Sequence, residues 1–226
     1  MTDRAGLPAP EDKAGSVRRM FDAIAPRYDL VNRVMTFGLD VRWRKRAIET
    51  LELHPGAVVA DVACGTGDFC REAAAVGAKP IGFDVSLGML RAARTTAPLV
   101  QADGLALPLR DDSVDAITCG FALRNVVDID LLFAEFARVS KPGARFALLE
   151  VAQPSFAPVR FGHHLYFNRV VPVIGGLLSD RDAYRYLPRS TVYLPPTDRL
   201  LDMLVAAGFT DVAAEPLGMG AAQLLT

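Results

Sequence analysis

VVADVACGTGDF, Val58 to Phe69, starts with small and β-branched residues, apolar except for Asp61, runs into a glycine-rich turn and then opens into a helical pattern. A short apolar run bounded by such a turn fits a strand covered on both faces. In open α/β sheets the crevice at the carboxyl end of such a strand is where ligands bind. The alternation continues outward from it. A helix is predicted near Phe69 to Val76, a strand over Pro80 to Phe83, a helix over Leu87 to Thr95 and a short strand over Leu99 to Gln101. A fourth strand at Ala116 to Cys119, a helix at Ile129 to Val139 and a fifth strand at Arg145 to Val151 follow, with Pro142-Gly143 as the turn before the last. Strands alternating with helices predict a doubly wound, mostly parallel, Rossmann-like α/β sheet. A helix at Asp198 to Ala207, a strand at Thr210 to Glu215 and the stretch Met219 to Leu225 are expected to close it as a hairpin.

The flanks read differently. Residues 1–15 mix proline, alanine, glycine and charges without periodicity and are expected to be a mobile tail. Residues 16–226 then form one domain, a size that a single core supports. Within it, Val17, Met20, Phe21 and Ile24, then Trp43, Ala47 and Leu51, recur at helical spacing, so residues 16–51 are expected as short N-terminal helices broken at Pro26 and Gly38. Residues 153–196 interrupt the alternation with aromatics, arginines and prolines and are expected to be a helical lid insertion over the site.

Composition excludes several classes. Hydrophobic residues make up 51% of the 226-residue chain and charged residues 23%, the balance of a packed globular protein. With 25 Lys plus Arg against 26 Asp plus Glu there is no basic field to hold nucleic acid. Cys64, Cys70 and Cys119 are odd in number and lack paired metal-ligand spacing, so reduced thiols in a cytoplasm are expected and no metal. No apolar leader follows Met1, and the longest apolar stretch, Val170 to Leu178, is about half the length that spans a bilayer.

The glycine turn Ala63-Cys64-Gly65-Thr66-Gly67-Asp68 has Cys70 where a dinucleotide fingerprint needs its third glycine, which disfavours a pyrophosphate and hence NAD. A flat nucleoside with an amino-acid tail, as in S-adenosylmethionine, can instead lie against a backbone without side-chain bulk. Asp84, after the second strand, is placed to accept both ribose hydroxyl protons; Asp103, beside Gly104 after the third, is placed at the adenine edge. Asp61, Gly65, Thr66, Gly67, Asp84, Asp103, Gly104 and, after the fourth strand, Gly120 are therefore the candidate cofactor contacts. Taken singly each has a plainer reading, an ordinary turn or a helix cap; three features at the ends of successive strands mark the same edge.

Phe21 to Arg44 (FDAIAPRYDLVNRVMTFGLDVRWR), with DVACGTGDF, GFDVSLGML and GFALRNVVD, resembles the C-methyltransferase family of menaquinone and ubiquinone biosynthesis over roughly residues 16 to 215. The most specific parts are Tyr28-Asp29 with Asn32 and the run Leu123-Arg124-Asn125-Val126, supported by YRYL at Tyr184 to Leu187 and PGARFALLE at Pro142 to Glu150. The resemblance implies a class I adenosylmethionine methyltransferase fold and methyl transfer to demethylmenaquinol, or alternatively to the methoxy-polyprenyl-benzoquinol of the ubiquinone pathway. It implies cofactor contacts at Thr66, Asp84, Asp103 and Gly104. Gly120 stands where family members commonly carry a serine, and the ending GMGAAQLLT lacks the family's usual aromatic and basic residues.

A ring carbon beside a quinol hydroxyl becomes nucleophilic when that hydroxyl loses its proton. Arg124 is the leading candidate to stabilise the resulting oxyanion, Asn125 to orient the ring, and Tyr28 or Asp29 to exchange a proton. The competing reading pairs Arg124 with Asp128 or Asp130 and makes Asn125 a helix cap. His163-His164 lack any zincin-like spacing. Arg42, Arg44, Lys45 and Arg46 read as a solvated helix face, with lipid headgroups as a second reading. Phe161, Leu165, Tyr166 and Phe167, flanked by Arg160 and Arg169, precede the apolar run and suit either a membrane-interface segment or an inner wall of the substrate pocket. A methyltransferase for another small molecule, or a silent adenosylmethionine-binding scaffold, shares the turn and the two aspartates.

Overall fold

The computed structural model describes residues 10–178, 183, 186 and 189–226. Residues 1–9 of the expected tail, parts of the expected lid and, of the YRYL run, Tyr184, Arg185 and Leu187 lie outside the described residues. Strand β1 (Val58–Val62) shows why a continuous apolar run was required. Its alternate residues point to opposite faces. Ala60 and Val62 join one cluster with Leu132, Phe133 and Phe136, while Val59 joins another with Ala47, Ile48, Phe69 and Ala73.

Around β1 lie β2 (Lys79–Asp84), β3 (Leu99–Gln101), β4 (Val114–Gly120), β5 (Ser140–Val151), β6 (Ala214–Leu217) and β7 (Ala222–Leu225), in the order β3-β2-β1-β4-β5-β7-β6. The first five are parallel; β7 is antiparallel to β5 and to β6, the expected closing hairpin. The last strand before it starts at Ala214 rather than Thr210. The order reverses between β1 and β4, the switch point at which such sheets hold ligands. Pro142-Gly143 falls in a bulge: pairing jumps from Ser140 opposite Val114 to Arg145 opposite Ala116, and Gly143 takes φ +80°.

Helices α1 (Pro10–Ile24), α2 (Tyr28–Met35) and α3 (Leu39–Thr50) precede β1; α4 (Asp68–Ala75), α5 (Leu87–Ala92) and α6 (Ile129–Val139) connect the strands. Residues 10–15, expected in the mobile tail, are instead the first turns of α1. Proline suits a first helical turn, and Val17, Ile24 and the stem of Lys13 are buried, which holds the helix down. Asp128 caps α6 by accepting from the Leu131 amide at 3.0 Å, so the cap is not Asn125. Phe133 and Phe136 of α6 are wholly buried; truncating either to alanine would cost about 3–5 kcal/mol.

Residues 157–178 are helical: α7 (Ala157–Leu165), a π turn (Tyr166–Val170) and α8 (Val171–Leu178). They dock on α2, where the Tyr166 hydroxyl donates to the Met35 carbonyl at 2.9 Å and Tyr166 packs beside Phe37. No helix among the described residues is long and apolar enough to cross a membrane.

Candidate functional site

A cavity of about 490 Å³ opens at the carboxyl ends of β1, β2 and β4, within the usual range of small-molecule sites. Gly65, Asp84, Asp103, Gly104, Gly120, Tyr28 and Asn125 line it together. Asp61, Thr66, Gly67 and Arg124 are not among its lining residues.

Asp84 ties the turn to the second strand. One carboxylate oxygen accepts from the Gly65 amide at 2.8 Å and the other from the Ser86 amide at 2.8 Å. Burial pushes this carboxyl above the usual carboxylate range, opposed by those two amides. A carboxylate offers about four acceptor sites, so two remain for a ligand's hydroxyls. Asp61 sits under the turn, accepting from the Cys70 amide and thiol, each at 3.2 Å, and from the Thr118 hydroxyl at 2.9 Å. Burial raises its carboxyl to about 7, against the hydrogen bonds of Cys70 and Thr118. Its part is to shape the turn from below.

The Thr66 hydroxyl donates to Asp29 at 2.5 Å, joining the turn to α2 and committing an oxygen of the expected proton partner. Gly65 and Gly67 take φ +54° and +82°; a Cβ on Gly67 would come within 2.7 Å of Thr95. Asp103 caps its own loop by accepting from the Leu105 amide at 3.0 Å. A Cβ on Gly104 would meet Val62 at 2.9 Å, and one on Gly120 would meet Phe69 at 2.9 Å. Close packing neighbours thus hold both positions to glycine, so that bare backbone lines the cavity there. A buried acceptor at Asp84 and bare backbone at Gly65, Gly104 and Gly120 fit a nucleoside with an amino-acid tail, such as adenosylmethionine.

The opposite wall was missed in the sequence. Ala14, Gly15, Val17, Arg18 and Phe21 of α1 line the cavity, whereas none of the described residues of the expected lid does. Among the described residues the element that covers the cavity is the N-terminal helix. It is fastened at one end by Lys13, which donates to the Val126 carbonyl at 2.6 Å and lies over the Tyr193 ring, and at the other by Asp22, which accepts from the Ser86 hydroxyl and the Gly88 amide. The helical spacing of Val17 and Phe21 carried this signal, but cavity lining depends on where the helix docks, which periodicity does not tell.

Arg124 is buried and bonds through Nη1 to Glu150, which is wholly buried, rather than to Asp128 or Asp130. Glu150 also accepts from the Val151 amide at 2.9 Å. Arg124 lies close enough to Tyr28 for its charge to favour the tyrosinate, yet burial dominates and holds the Tyr28 hydroxyl above its usual range. The Tyr28 ring stands over the glycine turn, edge-on to Phe21. Asn125 donates to the Phe121 carbonyl at 3.3 Å. Of the basic cluster, Arg44 is not solvated: it is buried, bonded to Asp40 at 2.7 Å and Asp68 at 3.2 Å, near the rings of Phe69 and Phe121. Two acidic partners outweigh its desolvation. Cys64, Cys70 and Cys119 are buried free thiols, kept protonated by burial. His163 stacks on Phe167, and among the described residues no group of three or more His, Cys, Asp or Glu is placed to hold a metal.

Residues 9–225 match the model of the ubiE/COQ5 methyltransferase family. The chain is 43% identical over 228 residues to a demethylmenaquinone methyltransferase of Roseiflexus castenholzii, covering 97% of this chain and 96% of that one. It is 38% identical to a ubiquinone/menaquinone biosynthesis C-methyltransferase UbiE of Geotalea daltonii, covering 95% and 97%. Among solved structures, a possible histamine N-methyltransferase of Thermotoga maritima superposes with TM-score 0.65 at 19% identity over 92% of this chain and 97% of that one. Phosphoethanolamine N-methyltransferase 2 of Haemonchus contortus, in complex with S-adenosyl-L-methionine, gives TM-score 0.58 at 18% identity over 77% of this chain and 38% of that one. These structural likenesses concern the fold.

Proposed function

Because the chain belongs to the ubiE/COQ5 methyltransferase family, an adenosylmethionine-dependent group, we propose that it methylates a ring carbon of a prenylated quinol, demethylmenaquinol giving menaquinol. The observation that carries this reading is the junction of two features. A cavity with bare backbone at its glycines and a buried acceptor at Asp84 is lined also by Tyr28 and Asn125, and next to Asn125 in the chain is the buried cation Arg124.

Bound there, adenosylmethionine supplies an already activated sulfonium methyl. What the chain must do is orient and stabilise. Asp84 receives the ribose hydroxyls; Gly104 and Gly120 admit the flat parts of the ligand; α1 shields the cavity from water through Val17 and Phe21. Arg124 stabilises the quinol oxygen as it loses its proton, while Asn125 and Tyr28 set the ring's orientation. Adenosylmethionine held there would give its methyl to the ring carbon and leave as adenosylhomocysteine, and the ring proton would pass to solvent as aromaticity is restored. Arg124→Lys should lower kcat at least tenfold while leaving adenosylhomocysteine affinity within twofold, because charge on the oxygen is felt mainly in the transition state. Equal losses in both would remove Arg124 from this role.

A long-tailed quinol resides in a bilayer, so we further propose peripheral association with the inner membrane surface from the cytoplasm. Leu30, Val34 and Phe37 on and after α2, with Phe161, Leu165 and Val173 of α7 and α8, are exposed, and the Tyr166–Met35 bond joins the two groups. Exposed apolar side chains gathered in this way favour an interface over an inner pocket wall.

A further inference from the structure

Four buried side-chain atoms have no hydrogen-bond partner among the described residues: Arg124 Nε, Asn125 Oδ1, the Tyr186 hydroxyl and Ser140 Oγ. Ser140 begins β5, at the other end of the sheet from the cavity. The other three belong together. Arg124 and Asn125 are adjacent and Asn125 lines the cavity; Arg124 and Tyr186 stand outside that lining, with Tyr186 near enough to Arg124 to feel its charge. Orphaned buried polar atoms are rare in folded proteins because each forfeits its hydration. Three such atoms around Arg124, beside the cavity that Asn125 lines, point to a ligand group that reaches past Asn125 to complete them.

Glu150 explains why the free edge of Arg124 is the Nε edge. It holds the guanidinium at Nη1 and accepts, at 3.4 Å, from the Arg124 amide as well, so side chain and backbone are fixed by one carboxylate. The Nε–H is left uncommitted and rigid.

We propose that Tyr186 O–H and Arg124 Nε–H together form a two-donor cradle for the acceptor's ring oxygen, with Glu150 as the positioning residue that keeps the Nε edge free. This extends the quinol reading given above and rests on it. Burial pushes the Tyr186 hydroxyl up to about 12, so it stays protonated and donates throughout the working range. Two donors from different parts of the chain, each without a partner, offered to an oxygen where negative charge develops form the arrangement that favours an oxyanion most. Asn125 Oδ1, an acceptor, is left for a proton-bearing group of the same ligand.

The test compares wild type with Tyr186→Phe and Glu150→Gln, using adenosylmethionine and a short-tailed demethylmenaquinol kept reduced with dithionite. Adenosylhomocysteine affinity within twofold of wild type shows that each variant is folded. Tyr186→Phe is expected to lower kcat on the order of 10²-fold, as loss of one oxyanion donor does. The bound quinol's own ionisation sets the acid limb of the kcat–pH profile, so removing a donor should move that limb to higher pH. Glu150→Gln keeps an acceptor for Nη1 but removes a negative charge, so its limb should move to lower pH. A structural role alone would not give shifts of opposite sign. Unchanged kcat and an unmoved limb in Tyr186→Phe, or limbs moving the same way in both variants, would overturn the cradle while leaving the quinol reading intact. Absence of quinol turnover in wild type would overturn both.

Discussion

The Asp84 carboxylate accepts a 2.8 Å hydrogen bond from the Gly65 amide, joining the end of β2 to the glycine turn that follows β1. The acidic residue proposed for the ribose therefore also fixes the backbone against which the rest of the ligand would lie. Asp84→Ala should weaken adenosylmethionine binding by more than tenfold, since one charge-assisted hydrogen bond is worth about 1.5–3 kcal/mol. Isothermal titration calorimetry decides it: unchanged affinity in a folded variant would take Asp84 out of the site.

Glu150→Leu should destabilise the protein by about 3–5 kcal/mol, because it strands the buried Arg124 guanidinium without its counter-charge. The double variant Arg124→Met, Glu150→Leu should recover most of that loss, since no charge is then buried. Chemical denaturation of the three proteins gives the comparison. A double variant no more stable than Glu150→Leu would show that the pair is not the energetic unit.

The buried Asp61 carboxyl should make the native state lose stability with rising pH. Its folded-state value, raised by burial to about 7, lies above that of the unfolded chain. Between about pH 4 and that value the native state therefore binds more protons than the unfolded one, and stability falls as pH rises through this window and then levels off. Asp61→Asn has nothing to titrate and can still accept from the Cys70 amide. The stability of wild type relative to this variant should decline from pH 4 to 7 and be flat above. A flat difference throughout would mean that Asp61 is not buried as described.

Much of this architecture was legible in the chain. Val58 to Val62 read as a strand from its small and β-branched residues, apolar except for Asp61, and the glycines after it as a turn at the ligand-binding edge. Asp84, Asp103 and Gly104 followed from position alone, each at the end of the next strand, and all reach the cavity. Three matters were not legible, all depending on which elements meet. The burial of Arg44 needs Asp40 one helical turn earlier and Asp68 from another element. The pairing of Arg124 needs Glu150 on the neighbouring strand, when Asp128 and Asp130 lie nearer in sequence. The helix over the cavity is α1, whose opening residues PEDKAG show no apolar period and are held instead by Lys13 on Val126.

Phe161 of α7 and Phe37 in the turn after α2 are 73% and 79% exposed. Replacing Phe161 and Val173 together by serine should abolish sedimentation with anionic liposomes and raise the KM for a long-tailed quinol, while the KM for a short-tailed one stays within about twofold. Surface changes of this kind alter folding stability by about 0.5 kcal/mol or less. A wild type that does not sediment even at low salt, where charge attraction is least screened, would end the membrane proposal.

The most direct measurement supplies the purified protein with adenosylmethionine labelled with carbon-13 in its methyl group, together with reduced demethylmenaquinol, and follows the quinol by mass spectrometry and carbon NMR. The expected result is one labelled methyl per product molecule, bonded to the ring carbon, with one adenosylhomocysteine formed for each. Label on oxygen, or no incorporation while a ubiquinone-pathway benzoquinol or an unrelated acceptor is methylated readily, would contradict the assignment of demethylmenaquinol as the substrate.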